Sequence, residues 1–367
     1  MSTMNAVPER VKRAIQNFEK AGKVPEPAGA FFQPKCPAQV CFGSRMTLVV
    51  TNKDGASNIF CTGETTLYRT GSSFYAINLF WDDKFCLGLE DNRTVIYQVY
   101  GWSYVKTLDE SRAWEGWRAA GKHIFYVNRG AGVVEVWDKK GTKIQARLEH
   151  DELDDILVHP REPHLLSWSS IRTAKAWNLE SPKKPKCQTP FNLPDDCVPV
   201  MVLGNLVVLR SEATRDCEFL YFDGSPVGWI KNQWTKFCSQ FGDGTNVIGS
   251  SSDANERTVR NFTIIGPDGT RKSTFEHEDA CSVAILADTF VVTSTVIGVK
   301  KIWSKDGNYI AETRRGSICP ALFADADGKL WEISSFGNEI MAIHVWDFMG
   351  DTPQIGDTLV EFIKRSR

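Results

Sequence analysis

The chain has 367 residues, with 42% apolar and 24% charged side chains, which is typical of a globular protein that can bury a large core. Its formal net charge is −2 and its pI is about 6.3, so no overall field would attract nucleic acid, and we predict no nucleic-acid partner. No apolar run reaches about 18 residues, so we expect no membrane insertion.

The cysteines and the N-terminal residues bear on the cellular compartment of the protein. The 10 cysteines are scattered singly without a Cys-x-x-Cys pair, as expected of buried thiols in a reducing environment. The N-terminus lacks the apolar block of a secretory signal. Residues 9–23 are basic but include two acids, which mitochondrial presequences usually avoid. We therefore expect a cytoplasmic protein, with a mitochondrial location as the weaker alternative.

The first predicted element is an N-terminal amphipathic helical arm at residues 1–24. Val11, Ile15 and Phe18 recur at helical spacing on one face, with charged residues opposite. This face would pack on its own domain or lie in a partner's groove, so all three residues are candidate partner contacts.

Helical periodicity almost disappears after the arm. A proline-rich, extended connector is predicted at residues 25–46. From 47 to 352 the chain consists of short apolar strands separated by turn residues, which indicates an all-β sandwich, barrel or propeller. Residues 353–367 are predicted to form a basic C-terminal tail.

The spacing of tryptophans distinguishes among these folds. Trp137 and Trp177 are 40 residues apart, and Trp303 and Trp346 are 43 apart. The gap between the two pairs accommodates two degenerate copies, and one step back from Trp137 reaches a tyrosine. A period of roughly 40–45 residues is typical of propeller blades. The predicted third-strand repeat positions are Tyr97, Trp137, Trp177, Phe222, Ile265, Trp303 and Trp346.

The stretches VEVWDKKG, AKAWNLES, KKIWSKDG and IHVWDFMG resemble the third-strand endings of WD repeats. His150 and His277, each followed by an acidic residue, resemble the Gly-His opening of a repeat, although glutamate replaces the glycine. The resemblance covers about residues 47–350 and implies a WD-repeat-like β-propeller. We favour seven blades, with residues 47–62 supplying the outer strand of the last blade, and keep eight blades as the alternative.

The resemblance also implies a hydrogen-bonded set in each blade, made of a His, a strand-two Ser or Thr, a turn Asp and the Trp. Ile171 and Ile297 occupy the turn position here, so His150 and His277 lack the Asp partner. We expect the blades to rely more on apolar packing than on this set, and the tryptophans to be structural.

A search for catalytic motifs finds no nucleophile elbow and no phosphate-binding loop. The densest group of candidate ligands contains Asp154, Asp155 and His159, but these residues lie along one predicted strand. We therefore predict no catalytic residues, no cofactor and no metal. A hydrolase or lyase that uses these residues in a central funnel is the alternative.

The stretch GWIKNQWTKF combines aromatic and cationic residues, as interface hot spots do. Trp229 and Trp234 are therefore candidate partner contacts, although packing between blades would also explain them. The predicted function is a non-enzymatic scaffold that binds other proteins, as a subunit of a hetero-complex. A propeller subunit of the trafficking or translation machinery is a further alternative, based on fold analogy alone.

Overall fold

The computed structural model describes most of the chain between residues 29 and 347. The described residues are 29–32, 38–42, 46–62, 66–109, 112–159, 163–203, 206–211, 213–214, 216–230, 234–251, 258–313, 320–324, 329–336 and 339–347. The predicted arm with Val11, Ile15 and Phe18 and the predicted tail lie outside the described residues. Trp234 and Trp346 are described by their backbone only.

The described residues are mainly β-strand with almost no helix, as the sequence predicted. The strands of the first half of the chain are β1 (Gly29–Phe32), β2 (Ala38–Phe42), β3 (Thr47–Lys53), β4 (Ala56–Cys61), β5 (Thr66–Thr70), β6 (Phe74–Phe80), β7 (Phe85–Glu90), β8 (Arg93–Gln98), β9 (Ser103–Thr107), β10 (Trp117–Ala120), β11 (His123–Asn128), β12 (Val133–Trp137), β13 (Ile144–Glu149), β14 (Leu153–Val158), β15 (His164–Ser169) and β16 (Thr173–Asn178). Two 3₁₀-helices, Trp114–Gly116 and Arg129–Ala131, flank β10 and β11.

The remaining strands are β17 (Lys186–Cys187), β18 (Phe191–Asn192), β19 (Cys197–Leu203), β20 (Leu206–Ser211), β21 (Cys217–Tyr221), β22 (Pro226–Ile230), β23 (Trp234–Gln240), β24 (Asn246–Ser251), β25 (Val259–Ile265), β26 (Arg271–Leu286), β27 (Phe290–Thr295), β28 (Lys300–Ser304), β29 (Tyr309–Thr313), β30 (Pro320–Ala324), β31 (Lys329–Phe336) and β32 (Glu339–Asp347). Among the described residues, no helix has the length and hydrophobicity needed to cross a bilayer.

These strands pair antiparallel in successive groups of four, which we call blades. Blade 1 is β2–β5, blade 2 is β6–β9, blade 3 is β10–β13, blade 4 is β14–β17 with β18 also on β16, and blade 5 is β19–β22. The next sheet has seven strands, β23–β29, because the long strand β26 is shared. Its first part pairs with β25 as the outer strand of blade 6, and its second part pairs with β27 as the inner strand of blade 7.

The last group, blade 8, contains both ends of the described chain. Its order is β30, β31, β32 and β1, with Gly29 opposite Val345 and Phe32 opposite Ala342. The expectation that residues 47–62 would close the last blade is therefore wrong. Those residues form β3 and β4, which have partner strands on both sides within blade 1.

The strand pairings thus group the described strands into eight blades, the alternative to the seven favoured from the sequence. Two of the additional strands, β1 and β2, come from the predicted connector. Its prolines stand before β1 and between β1 and β2, so the prolines do not remove a hydrogen-bond donor from either strand.

The hydrophobic core lies between neighbouring blades, where the face of one blade packs against the face of the next. Phe125 and Val134 of blade 3 pack with Ile156 and Leu165 of blade 4 in one cluster. Equivalent clusters join blades 1 and 2, 2 and 3, 4 and 5, 5 and 6, 6 and 7, and 7 and 8. Consecutive strand residues are therefore often all buried, as expected for strands covered on both faces.

Candidate functional site

The third-strand tryptophan of blade 4 belongs to a buried polar set. The Trp177 indole N–H donates to Ser167 Oγ at 2.9 Å, and the same oxygen lies 2.7 Å from His150 Nδ1. His150 Nε2 lies 3.1 Å from Thr173 Oγ1. Burial, with a smaller contribution from the charge of Lys175, lowers the pKa of His150 to about 4. The histidine is therefore neutral near pH 7 and acts as a structural hydrogen-bonding group.

Blade 7 repeats this arrangement with different residues. The Trp303 indole donates to Thr293 Oγ1 at 2.9 Å, and His277 Nδ1 lies 2.7 Å from that oxygen. Burial, followed by the charge of Lys301, lowers the pKa of His277 to about 4. Its Nε2 atom is buried and has no hydrogen-bond partner in the described structure. Ile297 is 74% exposed at the turn where the resemblance implies an Asp.

Three of the four members of the family set are thus kept in blades 4 and 7. The missing turn Asp was foreseen from Ile171 and Ile297, and both side chains are exposed. The sequence analysis underestimated the hydrogen bonds that remain among the His, the strand-two Ser or Thr and the Trp. Ser and Thr are common in second strands, so their presence there gives no distinct signal.

A β-bulge marks the repeat position in five third strands. The register shifts immediately before Tyr97, Trp137, Ile265 and Trp303. In blade 5 the same shift lies between Phe219 and Leu220.

Leu220, not the predicted Phe222, therefore occupies the repeat position in blade 5. The turn confirms this assignment, because Tyr221 N–H bonds to Ser225 O as Ser304 N–H bonds to Asn308 O after Trp303. The Phe222 ring instead lies 6.0 Å from the ring of His159 and 5.8 Å from that of His164.

The structure places the acidic and histidine residues of the enzyme alternative along a single strand, β14, and directly after it. The Asp155 carboxylate lies 3.3 Å from Arg118 and 3.2 Å from Arg129 in ion pairs. His159 is buried at the other end of β14. Within the described ranges, no group of His, Cys, Asp and Glu could hold a metal ion.

The most exposed tryptophan of the described chain stands beside a cleft between blades 5 and 6. Trp229 is 49% exposed and lies on β22, the outer strand of blade 5, which pairs only with β21 among the described strands. The cleft has a volume of about 630 Å³. Its lining residues come from β22, β25 and β26: Trp229, Ile230, Asn261, Thr263, Arg271, Thr274, Phe275 and Glu276.

Blades 5 and 6 also contact each other through residues that do not line the cleft. The Tyr221 hydroxyl donates to Asp268 O at 3.3 Å. Gly269 has φ of +80°, and a Cβ atom there would lie 1.7 Å from Val227 Cγ1. Glycine therefore meets both the left-handed conformation and the close approach of the blades. Glu276 lines the cleft and forms an ion pair with Arg260 at 3.0 Å, and both side chains are exposed.

The aromatic and charged groups beside the cleft are suited to contact another macromolecule. An exposed indole next to an arginine and several hydrogen-bonding side chains has the composition of an interface hot spot. The sequence named Trp229 as a candidate partner contact, with packing between blades as the other explanation, and it gave no indication of the cleft. Its other walls come from β25 and β26, which are about 30–45 residues further along the chain.

Comparison with known proteins supports the fold. No protein-family model and no curated protein sequence matches this chain. A eukaryotic initiation factor is similar in structure, with a TM-score of 0.60 and 9% identity over 89% of this chain and 88% of the other. The C-terminal WD40 domain of Sif2 has a TM-score of 0.54 and 10% identity over 88% of this chain and 98% of the other. BamB from Moraxella catarrhalis has a TM-score of 0.52 and 11% identity over 88% of this chain and 99% of the other.

These similarities and the blade topology define the class of protein. The chain is an all-β, WD-repeat-like β-propeller, with its last blade completed by a strand from the N-terminal region. At 9–11% identity the similarities define the fold and do not identify a particular member.

Proposed function

We propose that this protein is a non-enzymatic scaffold that binds other proteins, and that it is a subunit of a multiprotein assembly. The observation that carries the proposal is the half-exposed indole of Trp229 beside the cleft of about 630 Å³ between blades 5 and 6. A partner side chain inserted there would contact Trp229 and Ile230 on one wall and Phe275 on the other.

The polar groups of the cleft support a protein partner. Arg271 and Glu276 carry opposite charges, while Asn261 and Thr263 offer neutral hydrogen-bonding groups. Such a mixture suits the backbone and side chains of a polypeptide better than a ligand of one charge. The ion-paired state of Asp155 and its separation from His159 favour the scaffold over the enzyme alternative.

The test is affinity purification of the tagged full-length protein with quantitative mass spectrometry. The Trp229→Ala variant removes the indole, and Tyr104→Ala is the matched control because Tyr104 is 57% exposed on an outer strand of blade 2. We expect a stoichiometric partner to be lost from Trp229→Ala and retained by Tyr104→Ala. A monomeric wild-type protein without a stoichiometric partner would contradict the scaffold proposal. Equal recovery from both variants would reject the cleft as its binding site.

The N-terminal arm is proposed as a second contact. A variant lacking residues 1–8 and carrying Val11→Asp, Ile15→Asp and Phe18→Asp removes its apolar face while leaving β1 in place. Loss of a partner that Trp229→Ala retains would assign that partner to the arm. Unchanged recovery of all partners would restrict the proposal to the cleft.

A further inference from the structure

A second cavity, with a volume of about 370 Å³, lies between blades 3 and 4. It is formed by the turn between β10 and β11, the start of β15 and the segment after β16. Its volume is at the lower end of the range for small-ligand pockets. The apolar part of the wall is made by Phe125, Val158, Pro163, Leu179 and Pro182.

The polar part of the wall is mainly basic. Lys122, His123 and His164 line the cavity, and Glu180 is the acidic residue among its described lining. Lys122 is exposed, whereas His123 is partly buried. The cavity thus combines an apolar wall with an ammonium group and two imidazoles.

His123 has an unmet hydrogen-bonding group. Its Nδ1 atom is buried and has no hydrogen-bond partner in the described structure. Buried polar atoms without a partner are uncommon in folded proteins, so the His123 side chain is a candidate contact for a ligand in the cavity that it lines. Burial, followed by repulsion from Lys122, lowers the pKa of His123, while a hydrogen bond with the backbone of Trp137 offsets part of the shift. At neutral pH the cavity is therefore lined by a neutral His123 imidazole.

The lining defines the charge and shape of a ligand. A carboxylate near Lys122 and His123 would receive a charge-assisted hydrogen bond, and its apolar body would contact Phe125 and Leu179. Glu180 would repel a second negative charge, which disfavours dicarboxylates and phosphate dianions.

We propose that the cavity between blades 3 and 4 binds a monocarboxylate attached to an apolar group. The carboxylate belongs either to a free organic acid or to the C-terminal residue of a polypeptide. This proposal is independent of the scaffold function, because it concerns a different pair of blades and is tested on the purified protein with defined probes.

The binding should depend on pH through His123. A bound carboxylate favours the imidazolium form, so binding takes up a proton and becomes tighter as the pH falls. The other titratable groups that line the cavity are Lys122, His164 and Glu180. The His123→Phe variant, which keeps these three groups, tests whether the pH dependence of binding comes from His123.

The experiment is an NMR titration with 3-phenylpropionate as the free acid and acetyl-Gly-Gly-Phe as the peptide. The corresponding amides are the uncharged controls. We expect the carboxylates to bind several-fold more tightly at about pH 6 than at about pH 8. His123→Phe and Lys122→Gln should each weaken binding by about tenfold, which corresponds to about 1.4 kcal/mol. Lys140→Gln, at an exposed turn lysine of the same blade, should bind like the wild type.

The outcomes separate the two sources and can overturn the proposal. Binding of both carboxylates supports a C-terminal residue as a ligand, and binding of 3-phenylpropionate alone supports a free acid. Absence of binding by both, or equal binding of acids and amides, overturns the proposal. If His123→Phe does not fold, as judged by circular dichroism, Lys122→Gln and the amide controls still decide the result.

Discussion

Blades 7 and 5 have the same strand order but are held by different side chains. In blade 7, His277, Thr293 and Trp303 form a buried polar set. In blade 5, the pairing register places Leu209 at the position of Thr293 and Leu220 at that of Trp303.

Both leucines of blade 5 are buried in the apolar cluster shared with blade 4. The comparison teaches that apolar packing alone can replace the polar set of a blade. The outer strands of both blades present an aromatic side chain to solvent, Trp229 in blade 5 and Tyr309 in blade 7, so the difference between the blades lies in the interior.

The largest expected effect concerns a buried ion pair between blades 7 and 8. Lys300 Nζ lies 2.8 Å from Glu332 Oε2, and both side chains are almost fully buried. Lys300→Met removes this partner of the carboxylate, so the free energy of unfolding should fall by about 3–5 kcal/mol in urea denaturation. The double variant Lys300→Met/Glu332→Leu should recover most of the loss. A single variant as stable as the wild type would show that the pair does not matter.

The polar set itself is tested by Thr293→Val. The valine keeps the shape but leaves the N–H of Trp303 and a nitrogen of His277 buried without this hydroxyl, at a cost of about 1–3 kcal/mol in urea denaturation. Thr274→Val on the exposed face of β26 is the control and should change stability by less than about 0.5 kcal/mol. If both substitutions change the free energy of unfolding equally, the polar set does not stabilise blade 7.

The pH dependence of stability follows from the buried histidines. The pKa values of His150 and His277 fall from 6.5 to about 4 on folding. The unfolded chain therefore binds these protons more readily, so the stabilisation is fully present above about pH 6.5 and is lost as the pH falls towards 4.

We expect the urea midpoint of the wild type to decrease over this range. His277→Gln should lower the stability at neutral pH but flatten the pH dependence. An unchanged slope in this variant would show that His277 does not carry the effect.

The smallest expected effect is that of Trp229→Ala on stability. Trp229 is 49% exposed on an outer strand, so the free energy of unfolding should change by less than about 0.5 kcal/mol. Leu220→Ala in the core of the same blade should cost about 2–5 kcal/mol and is the positive control. A large effect of Trp229→Ala would favour packing between blades as the role of this tryptophan, over partner binding.

The sequence by itself determined the all-β class, the repeat of about 40 residues and most third-strand positions. Alternating apolar residues, turn residues and a tryptophan at the strand end are local features, so they can be read from short stretches of sequence without knowing which strands pair. It also placed Ile171 and Ile297 at the turn position of the missing Asp, and the structure shows both side chains exposed.

Only the tertiary structure decided how the strands are grouped. β1 closes blade 8 by pairing with β32, which lies about 300 residues further along the chain, and β26 serves two blades. A bulge places Leu220 at the repeat position that the sequence assigned to Phe222.

The cleft beside Trp229 and the cavity at His123 likewise join residues of different blades. Strand pairing, bulges and clefts depend on which backbone groups meet across a long loop closure. The local sequence therefore restricts which strand pairings, bulges and clefts can form, but it does not determine which of them does form.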